Sequence, residues 1–183
     1  MKNKIVQNRP EEIMQYPEIN PKEQDAVECV NEIFRSPLTG SYTWDYAVVE
    51  DRIKKLYELG KRLNWNVEFD LDWSQEFPKD KPMINQEIFK FPEENLPGIE
   101  DLTEAQRIEM DRHRVSWQLS QFLHGEQGAL LVASQLVSCA PTFNAKMYAA
   151  SQTFDEARHV EGFNKFLKEK IGFQYPATDG LKS

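Results

Sequence analysis

The sequence predicts an all-α fold: a helical bundle in which this chain supplies two long antiparallel core helices, an amphipathic surface helix and an irregular wrap. Three observations predict it. A helical pattern opens at Thr103, a good N-cap, with acidic residues in its first turn, and runs to about Cys139. Ala140-Pro141-Thr142 breaks it, because proline disfavours helix at the residue before it. A second pattern runs from about Thr142 or Asn144 to Lys170, with lysines in its last turn and Gly172 just past its end.

The rest of the chain is organised around that pair. Residues 1–40 form an N-terminal arm and a short helix. Pro10 and Pro17 keep the arm extended, and Asn20-Pro21-Lys22-Glu23 starts a helix that ends near Arg35. Residues 41–64 hold the surface helix. From Thr43 to Asn64 the series Tyr46, Val49, Ile53, Leu56, Gly60, Leu63 alternates steps of three and four, with charged residues between. Gly60 reads as a close-packing point. Residues 65–101 carry Pro78, Pro82, Pro92 and Pro97 among aromatics such as Phe69, Trp73, Phe77, Phe89 and Phe91. No period holds there, and so many apolar anchors suit a wrap or lid better than a linker. Residues 102–172 are the helix pair, and Gln174 to Ser183 reads as linker-like. Leu130, Leu131, Val132, Leu136 and Val137 are apolar almost all round, so the pair expects two more helices from a continuation of the chain or from a partner.

Chemistry concentrates on the two long helices. The neighbours of Glu126 on its own face, including Leu119, Phe122, Leu123, Ala129, Leu130, Ala133 and Val137, are all apolar. A carboxylate in such a stripe carries a desolvation cost of several kcal/mol unless something pairs with it. Glu156 and His159 are three residues apart, hence on one face, with Ala149, Val160, Phe163 and Leu167. Glu126 stands fifteen residues before Pro141 and Glu156 fifteen after it. In an antiparallel pair both therefore lie roughly 22 Å from the turn, at about 1.5 Å per residue. Facing carboxylates repel, and a bound cation resolves the conflict. A Glu-x-x-His pair is weak evidence by itself; His159 as a core histidine, or Glu126 paired with an arginine, are the bland readings. Neither explains the matched height, so Glu126, Glu156 and His159 are the candidate metal ligands.

The same residues resemble the ferritin-like di-iron carboxylate proteins, in the branch that includes the ribonucleotide reductase small subunit and the hydroxylases of bacterial multicomponent monooxygenases. The step of thirty residues from Glu126 to Glu156 is similar to that branch and shorter than in acyl-carrier desaturases. Asp155-Glu156-Ala157-Arg158-His159 looks like the Asp-Glu-x-Arg-His of the monooxygenase side. The resemblance covers roughly Arg107 to Leu167. It implies a ferritin-like half-bundle in which Glu126 and His159 ligate one iron and Glu156 bridges to a second. It further implies that Asp155 steadies a ligand histidine across the site and that Arg158 pairs with an aspartate. The chain departs from the pattern twice. His113 and His124 lack a glutamate three residues before them, so no second ligand set is present. Phe163 stands four residues after His159, where the reductases carry a tyrosine, which argues against a tyrosyl-radical role.

What the resemblance implies is an oxidoreductase that uses two irons, or iron and manganese, to activate O₂ and oxidise a small organic substrate, with an electron-donor reductase as partner. The chain is expected to be the front half of a longer protein, inactive alone; a homodimer pairing two half-sites is the alternative. Carboxylate-rich ligation suits iron or manganese better than zinc. Competing readings are a metal-storage protein without oxygen chemistry, and a bundle module whose polar residues pair internally. Thirty acidic against 22 basic residues, with no basic cluster, argue against nucleic acid or an anionic membrane as partner. No secretory signal or membrane-length apolar run is present, and Cys29 and Cys139 form no motif and read as buried free thiols, all of which fits the cytoplasm.

Overall fold

A computed structural model describes residues 40–84 and 96–182. The N-terminal arm, the short helix expected after Asn20, Cys29, Phe89 and Phe91 lie outside those residues. Every regular element among the described residues is helical: α1 (Asp51–Leu63), α2 (Glu104–Cys139), α3 (Phe143–Phe166), a π turn (Leu167–Ile171) and the short α4 (Asp179–Lys182).

Helix α2 begins as its sequence demands. The Thr103 hydroxyl accepts from the Gln106 amide while the Gln106 side chain accepts from the Thr103 amide, a reciprocal capping box. Its 36 residues span about 54 Å at about 1.5 Å each. After the Pro141 corner, Thr142 rather than Asn144 caps α3, its hydroxyl accepting from the Ala145 amide at 3.2 Å. The same hydroxyl donates to Glu50 Oε2 at 2.9 Å, tying the start of α3 to the start of α1.

α2 and α3 are antiparallel, and their register can be followed along the pair. Glu126 meets His159, Phe122 approaches Phe163 with ring centroids 6.1 Å apart, and Arg112 donates to the Ile171 carbonyl. Val115, Leu123, Leu167 and Ile171 form the core at the far end. The last turn of the second helix widens: the Gly172 amide donates to the Leu167 carbonyl, five residues back, at 2.8 Å. Leu167 and Ile171 are thereby both buried, and Gly172 ends the run at φ 94°, a backbone that favours glycine.

Three expectations need correcting. The surface helix starts at Asp51, not Thr43, because the amides before it find partners elsewhere: Ser41 donates to the Ser138 carbonyl, Ala47 to Asp45 Oδ1 and Val49 to Asn144 Oδ1. Cys139 is exposed, since it is the last residue of α2 and meets the corner rather than the core. Leu131, Val132 and Leu136 are exposed at 40%, 59% and 44%, so the described residues do not cover this apolar part of α2 by themselves, which is in keeping with the sequence expectation.

The third concerns residues 173–178, which are no linker. They lie extended along α2 as a strap, gripped by side chains. Arg112 donates to the Ile171 carbonyl, Ser116 to that of Phe173, and the Tyr175 amide to Ser120 Oγ at 3.0 Å. His124 then meets the Tyr175 carbonyl, and Gln121 pairs with the Pro176 carbonyl and the Thr178 amide. Four residues of helix rise about 6.0 Å and two of extended chain about 6.6 Å, so the two periods nearly match.

The described part of the wrap, residues 65–84 and 96–101, is irregular but anchored. Val67 is fully buried against Gly162, and the Trp73 indole donates to the Val67 carbonyl at 2.6 Å. Phe77 packs edge-on against Phe166, whereas Phe69 is exposed. Gly60 faces Ser151 of α3, where an added Cβ would lie 3.6 Å from its hydroxyl, an ordinary contact.

Candidate metal centre

The antiparallel register brings Glu126 of α2 against Glu156 and His159 of α3. His159 Nδ1 lies 3.3 Å from Glu126 Oε2 and 3.1 Å from Glu156 Oε2. One ligand atom from each residue falls within 4.8 Å of the others, so the three could hold a metal ion. Donors about 2.1 Å from one shared ion are at most about 4.2 Å apart, a spread that a small side-chain rotation reaches. The sequence placed these groups in a buried core; their side chains are instead 26%, 14% and 41% exposed for Glu126, Glu156 and His159. The cause is the open side of the helix pair, the same side that leaves Phe122 49% exposed.

The electrostatics are those of a site short of positive charge. Burial pushes the Glu126 carboxyl above the usual carboxylate range, and the adjacent Glu156 carboxyl adds to the rise, while the His159 imidazole opposes it. Two carboxylates and one imidazole form a donor set that suits a divalent transition metal.

Asp155 and Arg158 face away from this cluster. Arg158 donates to Asp155 Oδ1 at 2.8 Å, to Asn64 Oδ1 at 3.0 Å and to the Trp65 carbonyl, and its guanidinium lies 4.5 Å from the Trp65 ring centre. Arg158 and Asp155 thus pair within one helix turn. Asp155 accepts from Arg158 on its own helix. His113 and His124 hold the strap instead, His113 Nδ1 lying 2.6 Å from the Tyr175 hydroxyl and His124 Nε2 2.9 Å from the Tyr175 carbonyl.

One important polar residue escaped the sequence reading. Asp111 is fully buried, accepts from the Met83 and Ile84 amides and pairs with Arg114. Its position three residues before an arginine was the available signal, but that spacing is as common on solvated faces.

No helix among the described residues is long and apolar enough to cross a membrane. No protein-family model, curated protein or solved structure matches the chain.

Proposed function

We propose that this chain supplies half of a ferritin-like di-iron, or iron–manganese, carboxylate site in an oxidoreductase that activates O₂ to oxidise an organic substrate. The observation that carries the reading is the meeting of Glu126, Glu156 and His159 from matched heights on an antiparallel pair. A bundle that merely pairs its polar groups would not need two carboxylates beside one imidazole at the cost of a raised Glu126.

Bound iron or manganese would supply the redox chemistry toward oxygen. The protein's part is to hold and orient. Glu126, Glu156 and His159 would hold the metal, and two carboxylates would balance the charge of one divalent ion. Glu156 and His159 share a turn of α3, so one helix sets their spacing. The Arg158–Asp155 pair and the Trp65 ring hold that turn from the opposite side. The remaining ligands of a two-metal site would come from another helix pair, from a longer form of the chain or a second copy of it.

Calorimetric titration of the metal-free chain with Mn²⁺, and with Fe²⁺ under argon, tests the reading. Saturable binding is expected, weakened about tenfold or more by Glu126→Gln, Glu156→Gln or His159→Ala and unchanged by His113→Ala. Absence of saturable binding, or binding indifferent to Glu126→Gln, would falsify the metal site. A change in stability alone, without a change in metal content, would leave only an internally paired bundle.

A further inference from the structure

At the end of the helix pair away from the Pro141 corner, the wrap and the π turn bound a pocket of about 240 Å³. Arg112 of α2 and Lys170 of the π turn line it on one side, and Glu76, Phe77, Lys79 and Met83 of the wrap on the other. Ile171, in its wall, stands fifteen residues beyond Glu156, so the pocket lies about 22 Å from the candidate metal ligands at about 1.5 Å per residue. We propose that this pocket binds a small organic monocarboxylate, its charged end on Arg112 and Lys79 and its carbon part on Phe77 and Met83. The proposal does not depend on the metal reading.

Three features support it. The first is charge. The chain carries 30 acidic against 22 basic residues, yet three cationic side chains line this one pocket. Arg112 makes one hydrogen bond among the described residues, to the Ile171 carbonyl at 3.3 Å, and stands 4.0 Å from Glu109, so its terminal nitrogens keep donors to spare. Lys79 is exposed and has no ion pair or hydrogen bond among the described residues. Lys170 spends a donor on the Trp73 carbonyl but keeps its charge. On the acidic side, Glu169 is already answered by Lys165 at 3.3 Å, which leaves Glu76 as the carboxylate of the wall with no cation beside it among the described residues. Positive charge is left over, and a carboxylate matches the guanidinium fork.

The second feature is the apolar part of the wall, which is held before any ligand arrives. Phe77 packs edge-on against Phe166 at 5.5 Å between ring centres, and the Met83 amide is held by Asp111 Oδ2 at 2.6 Å. A fixed wall avoids an ordering cost on binding. An inorganic oxyanion would leave that apolar surface uncovered, whereas an acid of a few carbons covers it. Pockets for drug-sized ligands start near about 300 Å³, so nucleotides and long-chain lipids are too large for this one. The third feature is Glu76 itself. A carboxylate in the same wall repels a second negative charge, which disfavours phosphate and dicarboxylates against a monocarboxylate.

The test is an NMR titration of the full, metal-free chain with isovalerate, with isovaleramide as the neutral counterpart and inorganic phosphate as the bare anion. Saturable shifts are expected at the amides of Lys79 and Gly172 and in the guanidinium signals of Arg112. Isovaleramide and phosphate should each bind at least about tenfold more weakly. Arg112 also holds the strap, so the charge test falls to Lys79 and Glu76, which are exposed and make none of the contacts that hold the fold. Lys79→Gln should weaken isovalerate binding about threefold, and Glu76→Gln should strengthen it about threefold. The proposal is overturned if isovalerate causes no saturable shift, or if its shifts map to Glu126 and His159. Equal binding of isovaleramide or phosphate also overturns it, as does an affinity that both substitutions leave unchanged or move in the same direction. None of the pocket's residues is a candidate metal ligand, so a negative result here leaves the Mn²⁺ titration above untouched, and the converse holds.

Discussion

Asp111 illustrates how a single side chain can fasten an irregular segment. Its Oδ2 accepts from two successive amides of the wrap, Met83 at 2.6 Å and Ile84 at 3.3 Å, while Oδ1 meets Arg114. Replacing it by alanine strips both amides of their acceptor and Arg114 of this carboxylate. Asp111→Ala should destabilise the fold by about 3 kcal/mol, read from the midpoint of urea unfolding, with Asp111→Asn intermediate. At this scale the candidate metal ligands were legible in the sequence and Asp111 was not. Glu126 stood out because its helical neighbours are all apolar, a property of one helix. Asp111 is buried by chain from elsewhere, Met83 and Ile84, and no local pattern encodes that contact.

Among the elements, α1 carries the clearest titration signature. Glu58 lies 2.6 Å from the Lys54 ammonium and 2.9 Å from that of Lys61, and those bonds hold its carboxyl at about 2. A carboxyl lowered on folding contributes stability in full above its unfolded value of 4.5 and loses it as pH falls toward about 2. Carboxyl-carbon NMR should therefore show Glu58 titrating well below the other exposed glutamates, and Lys54→Gln with Lys61→Gln should return it to the ordinary range. Salt should weaken the effect, because the group is exposed. The long helices could be read closely in advance: Thr103, Pro141 and Gly172 are local signals, and each acts where it was expected. The start of α1 could not. Its apolar spacing continues upstream to Tyr46, but the Ser138 carbonyl and the Asn144 side chain take the amides of Ser41 and Val49, and those contacts span about a hundred residues.

At the largest scale, the described residues form an anchored wrap and strap laid on a two-helix layer. An all-α architecture followed from periodicity, and so did the convergence of Glu126, Glu156 and His159, because an antiparallel pair with one sharp corner leaves little freedom in register. The strap was misread as linker because its grip comes from polar side chains of α2, Ser116, Ser120, Gln121 and His124, which resemble any hydrophilic helix face. Ser116 and Ser120 are fully buried beneath it. Ser120→Ala should leave the Tyr175 amide without its acceptor, cost about 1–2 kcal/mol and speed hydrogen exchange at that amide about tenfold. Unchanged exchange there would mean that the hydroxyl does not hold the strap.

That grip repeats once per helix turn and once per two strap residues, at Arg112 with Ile171, Ser116 with Phe173 and Ser120 with Tyr175. The tail therefore slides like a ratchet rather than a rope. Deleting Gln174 alone would seat Pro176, which has no amide hydrogen, opposite Ser120 and turn every later side chain to the other face, and the end of the chain should come loose. Deleting two neighbours would move the tail back one notch and let it catch again.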